Sequence, residues 1–157
     1  MRIGLGYDSH VFSDDPERPL VLAGVTIPGS PGLAAHSDGD AVIHAVIDAL
    51  FGAAALGDIG SHFPDTDERW KGADSAELLA SAMDDVRDAG HELENVDITV
   101  ICEKPKLRPH VQAMRESLAD IMGVDVSQIS VKGKTNEKMD DVGAGRGIAV
   151  HAAVLVE

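Results

Sequence analysis

Apolar residues recur along the chain with two periods, and the switches between them mark out its elements. Residues 1–8 alternate weakly and run on into His10, which predicts a strand. After a polar loop over 13–19, the apolar stretches 20–23 and 25–27 are split at Gly24 and read as a second strand or a hairpin. Ser37 or Asp38 is placed to cap a helix whose apolar positions Val42, Ile43, Val46, Ile47, Leu50 and Phe51 follow helical spacing, with Gly57 as its stop. Asp74 and Glu77 form a capping-box-like pair ahead of Leu78, Leu79, Ala82, Met83 and Val86, and Gly90 ends that second long helix. Val96, Ile98 and Val100 alternate with Asp97 and Thr99 as a strand. Pro109 lies near the start of a helix ending at Gly123, residues 129–131 begin another strand, and 148–156 form the last one. Helices inserted between strands in this order predict an α/β fold of the α+β sandwich kind. One mixed sheet carries helices on one face, close to the ferredoxin-like split βαβ arrangement. No linker, repeat or low-complexity tract interrupts the pattern, so residues 1–157 are expected to form a single domain.

Composition changes this picture in two ways. Only 3% of the 157 residues are aromatic (Tyr7, Phe12, Phe51, Phe63 and Trp70), so small side chains must fill the core, and packing against partner subunits would make up the deficit. The net charge of -14 argues against general affinity for nucleic acid or anionic membranes. The charge is uneven: residues 1–103 carry 5 basic and 20 acidic side chains, residues 104–157 carry 8 and 7. An anionic substrate would find its cations mostly in the second part. The single cysteine, Cys102, excludes an intrachain disulfide and a thiolate zinc cluster within one chain. With no signal pattern and no long apolar run, the default expectation is a cytoplasmic enzyme or binding protein.

Several clusters could carry chemistry. Asp8 and His10 lie two apart on the first strand, so both side chains leave one face, and Gly4 and Gly6 leave room for backbone or ligand to come close. Alone, a surface Asp and a half-buried His are the preferred reading of the pair. His36, Ser37, Asp38, Gly39, Asp40 and His44 then crowd nine positions where a helix begins, more than one cap needs. His44 could be a satisfied core histidine. Joined to Asp8 and His10, it would complete a two-His, one-carboxylate set with an open fourth position, the pattern of a catalytic zinc site. Asp48, one turn on, could orient His44 or be solvated, and solvation is the preferred reading. Asp58, Ile59 and Gly60, then Phe63, Pro64, Asp65, Thr66 and Asp67, form a Gly, Pro and Asp-rich connection. Turn chemistry explains much of it, but it would also suit a polyol. In the basic part, Lys104, Lys106 and Arg108 flank Pro105 and Pro109, and residues 132–138 close a strand where Gly133, Lys134 and Thr135 could cradle phosphate, although alone the stretch reads as an ordinary solvated loop. Glu137 could hold magnesium there or merely pair with Lys138. No P-loop, nucleophile elbow, dinucleotide fingerprint or basic aromatic platform is present.

Together these stretches resemble the 2-C-methyl-D-erythritol 2,4-cyclodiphosphate synthase family. The matching residues are Arg2-Ile3-Gly4-Leu5-Gly6-Tyr7-Asp8-Ser9-His10, His36-Ser37-Asp38-Gly39-Asp40 with His44, Leu56-Gly57-Asp58-Ile59-Gly60, and Phe63-Pro64-Asp65-Thr66-Asp67. The likeness continues through Lys71-Gly72-Ala73-Asp74-Ser75, Asn95-Val96-Asp97, Pro105-Lys106 and Thr135-Asn136-Glu137-Lys138. The resemblance implies conversion of 4-diphosphocytidyl-2-C-methyl-D-erythritol 2-phosphate into the cyclic diphosphate and CMP, in the non-mevalonate isoprenoid route. It implies zinc, or another divalent transition metal, on Asp8, His10 and His44, and magnesium or manganese on Glu137. His36 and Thr135 match residues that stabilise the transition state. His36, Ser37, Asp58, Ile59, Gly60, Phe63, Pro64, Asp65, Thr66 and Asp67 match the methylerythritol phosphate side, and Asp8, Ser9 and His10 also match substrate-binding positions. Cys102, Glu103, Lys104, Pro105, Lys106, Leu107, Arg108, Gly133, Lys134, Thr135, Asn136 and Glu137 match the cytidine and diphosphate side, supplied by a neighbouring subunit of a homotrimer. A metal-dependent phosphodiester hydrolase and a noncatalytic trimeric sensor are the rival readings.

Two departures from the family pattern stand out. Thr135 lies between Lys134 and Asn136 instead of in a run of threonines. Near the end, the family's arginine at the mouth of an apolar cavity on the three-fold axis, which can hold isoprenoid diphosphates, is Ala144. Its aromatic is Asp141, and its glutamate is Arg146. In an extended strand Ala144 and Arg146 would share a face, moving the cation along the cavity while Asp141 repels a diphosphate.

Overall fold

The computed structural model describes residues 1–64, 66–70 and 72–157. Strand β1 (Arg2–Val11) is followed by a hairpin of β2 (Pro19–Leu22) and β3 (Val25–Pro31). Helix α1 (Ala41–Ala54), the single-turn α2 (Ile59–His62) and α3 (Ser75–Asp88) lead to β4 (Leu93–Ile101). Helix α4 (Val111–Met122), β5 (Ile129–Lys134), the single-turn α5 (Asp140–Gly143) and β6 (Gly147–Val156) complete the order. The main sheet runs β1-β6-β4-β5, antiparallel except for the β4–β5 pair. β1 and β4 are therefore parallel with β6 between them, a split βαβ unit. β4 and β5 are direct neighbours joined through α4, so the second crossover is not split as the full ferredoxin-like order would require.

Strand alternation sets the two faces of the sheet. Val96, Ile98, Val100, Ile148, Val150, Ala152 and Val154 are buried beneath the helices, α1 lying on β1 and β6 and α4 on β5, in one continuous apolar core. The opposite face is uncovered in this chain. Ile3, Leu5, Tyr7 and Val11 on β1 are 54–76% exposed there. On the helix side of β1 the even positions are Gly4 and Gly6. A Cβ on either would fall 1.8 Å from a carbonyl oxygen, of Ala49 and Ala45 respectively. These glycines let α1 lie directly on the strand, so the close approach foreseen from the sequence is that of a helix backbone.

Caps correct the sequence reading at two places. Asp40, not Ser37 or Asp38, is the N-cap of α1, because its buried carboxylate accepts from Ile43 N–H and also from Ala23 and Gly24 N–H at the tip of the β2–β3 hairpin. One buried side chain thus ties a turn to a helix start. Burial pushes its carboxyl up to about 6 against those three bonds. The same helix ends at Ala54 with Ala55 left-handed (φ 59°), earlier than the expected stop at Gly57. Asp74 and Gly123 cap α3 and α4 as the sequence predicts.

Candidate active site

Because α1 sits directly on β1, His44 faces Asp8 and His10. The three form a group whose ligand atoms lie within 4.8 Å of one another. His10 Nδ1 is 2.9 Å from the Ala34 carbonyl, which can only accept, so the proton belongs on Nδ1 and Nε2 presents its lone pair. That Nε2 is 2.9 Å from Asp8 Oδ2 yet buried with no well-directed hydrogen bond. His44 is fixed from its other side: Ser75 donates its hydroxyl proton to Asp38, so its oxygen accepts from His44 Nε2 at 3.0 Å. His44 Nδ1 then turns a lone pair toward Asp8 Oδ2, 3.1 Å away. Two lone pairs and a carboxylate converging on one point need a cation between them, and the donor set suits a divalent transition metal. Without one, protons must serve. Burial pushes the Asp8 carboxyl up, but the two rings outweigh it and hold Asp8 well below the usual carboxylate range. The same carboxylate draws His10 up against the opposing effect of its own burial.

A cleft of about 380 Å³ opens beside this group. His36, Ser37, Ile59, Gly60, Phe63 and Pro64 line it together with Asp8, His10 and His44, as the sequence suggested. Trp70 and Leu78 also line it and had no site role from sequence reasoning, and Asp48, read as solvated or as a partner of His44, lines it too. Asp48 is not simply solvated. It is half-buried and accepts from Ile59 N–H at 2.8 Å, fastening the start of α2 to α1, and burial raises its carboxyl. Asp58 caps α2 through Ser61, and Asp67 pairs with Arg69, so both shape the connection without lining the cleft. Thr66 is exposed and outside it, and Asp65 and Lys71 lie outside the described residues. Ser9, between Asp8 and His10, belongs by alternation to the opposite, exposed face of β1. The sequence held no local signal for Ser75, whose contact with His44 spans 31 positions.

A second cleft, about 340 Å³, lies at the other edge of the sheet. Cys102, Glu103, Pro105, Lys106, Leu107, Arg108, Gly133, Lys134 and Thr135 line it; Lys104, Asn136 and Glu137 do not. Burial, reinforced by Glu103, pushes the Cys102 thiol up to about 11, so Cys102 is wall and not nucleophile. Thr135 donates to Glu137 at 2.8 Å. Both clefts open at the same end of the sheet, since β1 and β5 are parallel. The edge strands β1 and β5 that contribute to them are three strand spacings apart, about 14 Å. The expected strand around Ala144 and Arg146 is instead the end of α5 and a turn, where Arg146 closes an ion pair of 2.6 Å on Asp141. Among the described residues, no helix is long and apolar enough to cross a membrane.

The YgbB family model matches residues 1–157. A 2-C-methyl-D-erythritol 2,4-cyclodiphosphate synthase of Brachyspira hyodysenteriae is 53% identical over all of this chain and 98% of its own length. One of Cupriavidus metallidurans is 56% identical over 99% of this chain and 92% of its own. A solved structure of 2C-methyl-D-erythritol-2,4-cyclodiphosphate synthase in a CDP-bound form superposes with a TM-score of 0.90 at 42% identity, over 99% of this chain and all of that one. The bifunctional IspDF from Campylobacter jejuni is similar at a TM-score of 0.94 and 46% identity over 99% of this chain, which spans 42% of that longer protein.

Proposed function

The chain belongs to the YgbB family, and from that premise we propose that it is a 2-C-methyl-D-erythritol 2,4-cyclodiphosphate synthase of isoprenoid biosynthesis. Residues 1–157 would form one catalytic domain of a cytoplasmic lyase. The observation that carries this reading is the convergence of the His10 and His44 lone pairs on Asp8 beside the first cleft, in a chain similar to such synthases over its whole length. In the reaction, an oxygen of the 2-phosphate attacks the β-phosphorus of 4-diphosphocytidyl-2-C-methyl-D-erythritol 2-phosphate. The bond from that phosphorus to the bridging oxygen breaks, and CMP leaves with the electron pair. No protein nucleophile is needed, so positioning and charge neutralisation do the work. Zinc or a similar ion on Asp8, His10 and His44, with magnesium or manganese on Glu137, would supply Lewis-acid neutralisation of the phosphate charges.

The chain's own residues do the rest. Ser37, Ile59, Gly60, Phe63 and Pro64 would hold the methylerythritol phosphate, and the second cleft the cytidine. His36 and the Thr135 hydroxyl would stabilise charge as the new bond forms. Within one chain, about 14 Å is too far for one diphosphate to meet both the metal group and Thr135. We therefore assign the chain a homotrimer in which the two clefts of neighbouring subunits join. The uncovered apolar residues Ile3, Leu5, Tyr7 and Val11 favour that burial. At the same end of the sheet as the clefts, beside Val11, the Arg146 charge is engaged by Asp141, which supports weak or absent affinity for isoprenoid diphosphates.

Phosphorus NMR of protein, magnesium and substrate tests the reaction. A cyclic diphosphate with CMP supports it; an acyclic product would make the protein a hydrolase, and tight CMP binding without turnover a sensor. Light scattering at three times the chain mass supports the trimer, whereas a fully active monomer overturns it.

A further inference from the structure

Five non-glycine residues among those described have left-handed backbones, and three of them, Glu137 (φ 49°), Lys138 (φ 63°) and Asp140 (φ 58°), fall within four positions. Side chains disfavour this region, so it persists only where surrounding contacts impose it. Here the loop is exposed, and apolar packing cannot be what imposes it. Asp140 is held by its own turn, accepting from Val142 and Gly143 N–H and from the Asn136 amide. Glu137 and Lys138 are the two central residues of a turn that Met139 N–H closes on the Asn136 carbonyl at 2.8 Å, but that bond alone does not tie the turn to the rest of the fold. The tie comes from Glu103, 33 and 35 positions earlier. One oxygen of its half-buried carboxylate accepts from Asn136 N–H at 3.1 Å and from Lys138 N–H at 3.4 Å. Those two amides bracket Glu137. On the far side of the turn, a Cβ on Gly143 would lie 2.5 Å from the Lys138 carbonyl carbon, so the loop is closed against α5 as well.

We propose that Glu103 is a positioning residue: it anchors the left-handed turn at Glu137 and Lys138 to the end of β4, and so fixes where Thr135 and Glu137 stand, acting through those two groups and not through its own place in the wall of the second cleft. The route is short. With the backbone turned back at Glu137, its carboxylate meets the Thr135 hydroxyl at 2.8 Å, and the two groups form one unit. β4 and β5 are paired up to Ile101 and Lys134, and Cys102 N–H still bonds the Lys134 carbonyl at 2.9 Å, so Glu103 starts from a firm base. The chemistry required is an acceptor oxygen at that place, not a negative charge. This inference rests on the proposed function only in giving Thr135 and Glu137 their roles.

The test uses the full-length protein with Glu103→Ala, Glu103→Gln, Lys138→Gly and the Glu103→Ala/Lys138→Gly pair. Amide hydrogen exchange at Asn136 and Lys138, followed by NMR, reads the turn independently of any activity. Exchange should accelerate about tenfold or more in Glu103→Ala and stay within about threefold of wild type in Glu103→Gln, whose amide oxygen still accepts. In the cyclisation assay, Glu103→Ala should lower kcat about tenfold and raise the magnesium needed for half-maximal rate, with KM within about twofold. Glycine at 138 relieves the left-handed constraint, so the double variant should regain most of that kcat. Wild-type exchange rates in Glu103→Ala overturn the proposal. So does Glu103→Gln as impaired as Glu103→Ala with no rescue by Lys138→Gly, which would make the carboxylate a direct ligand contact. If wild type forms no cyclic product, the proposed reaction fails while the exchange result still decides the role of Glu103.

Discussion

The Asp8, His10 and His44 group and the loop that follows β5 place the side chains of the proposed function by opposite means. Asp8, His10 and His44 stand half-buried on a strand and a helix pressed together through Gly4 and Gly6, and each ring has its second nitrogen engaged by a carbonyl or a hydroxyl. Thr135 and Glu137 stand exposed on a turn with left-handed residues, held by backbone bonds to a carboxylate from another element. Core packing fixes the first, and a few hydrogen bonds fix the second. The first should therefore fail with the fold when its packing is disturbed, and the second should fail locally.

The largest effect should follow loss of a ligand. His44→Ala is expected to take bound zinc from one per chain to near zero and activity down by more than about a hundredfold, exceeding the loss usual for removing a supporting group. Metal analysis and the cyclisation assay on one sample check it, and full zinc occupancy would remove His44 from the group. Gly6→Ala attacks the same geometry without touching a ligand. A methyl 1.8 Å from the Ala45 carbonyl must push α1 off the strand, destabilising by about 3 kcal/mol and lowering Tm by roughly 10 °C. Thermal melts with and without zinc measure it. A variant of normal stability and zinc affinity would break the claim that packing places His44.

Proton competition sharpens the contrast further. The folded state of metal-free protein raises His10 above 6.5, so that residue's contribution is fully present below pH 6.5 and is lost as pH rises through the raised value. Asp8 is depressed, so its contribution holds above 3.8 and is lost as pH falls through its folded value. Zinc needs the neutral His10 ring and gains with rising pH, so the Tm difference between zinc-loaded and metal-free protein should widen from pH 6 to pH 8, by roughly a few °C. A difference that narrows instead would contradict the ligand assignment. The smallest effect is expected at Arg146→Ala. Arg146 and Asp141 are 69% and 79% exposed, and an exposed ion pair contributes little, so Tm should change by no more than about 1 °C.

Much of the architecture was legible in advance because periodicity is a local property. The alternation of Val96, Ile98 and Val100 and the helical spacing from Val42 to Phe51 each appear where the pattern put them. The errors fall where a long-range contact competes with a local one. Asp40 caps α1 in place of Ser37 or Asp38 because the β2–β3 turn brings two more donors to it. Asp48 binds Ile59 N–H because α2 folds back, and an isolated helical turn gives no sign of that. Two single-turn helices, α2 and α5, were too short to leave a periodic signal.

By itself, then, the order of residues determined the strands, the long helices, the charge division and which side chains could ligate a metal, since each follows from residue type and near-neighbour spacing. Only the tertiary structure decided the rest: which nitrogen of each histidine faces Asp8, that Ser75 and Asp38 orient His44, that Glu103 holds the turn at Glu137, and that the edge strands of the two clefts lie three spacings apart. Each of these depends on groups separated by 24 or more positions or on sheet order, and such contacts arise when the chain closes on its core.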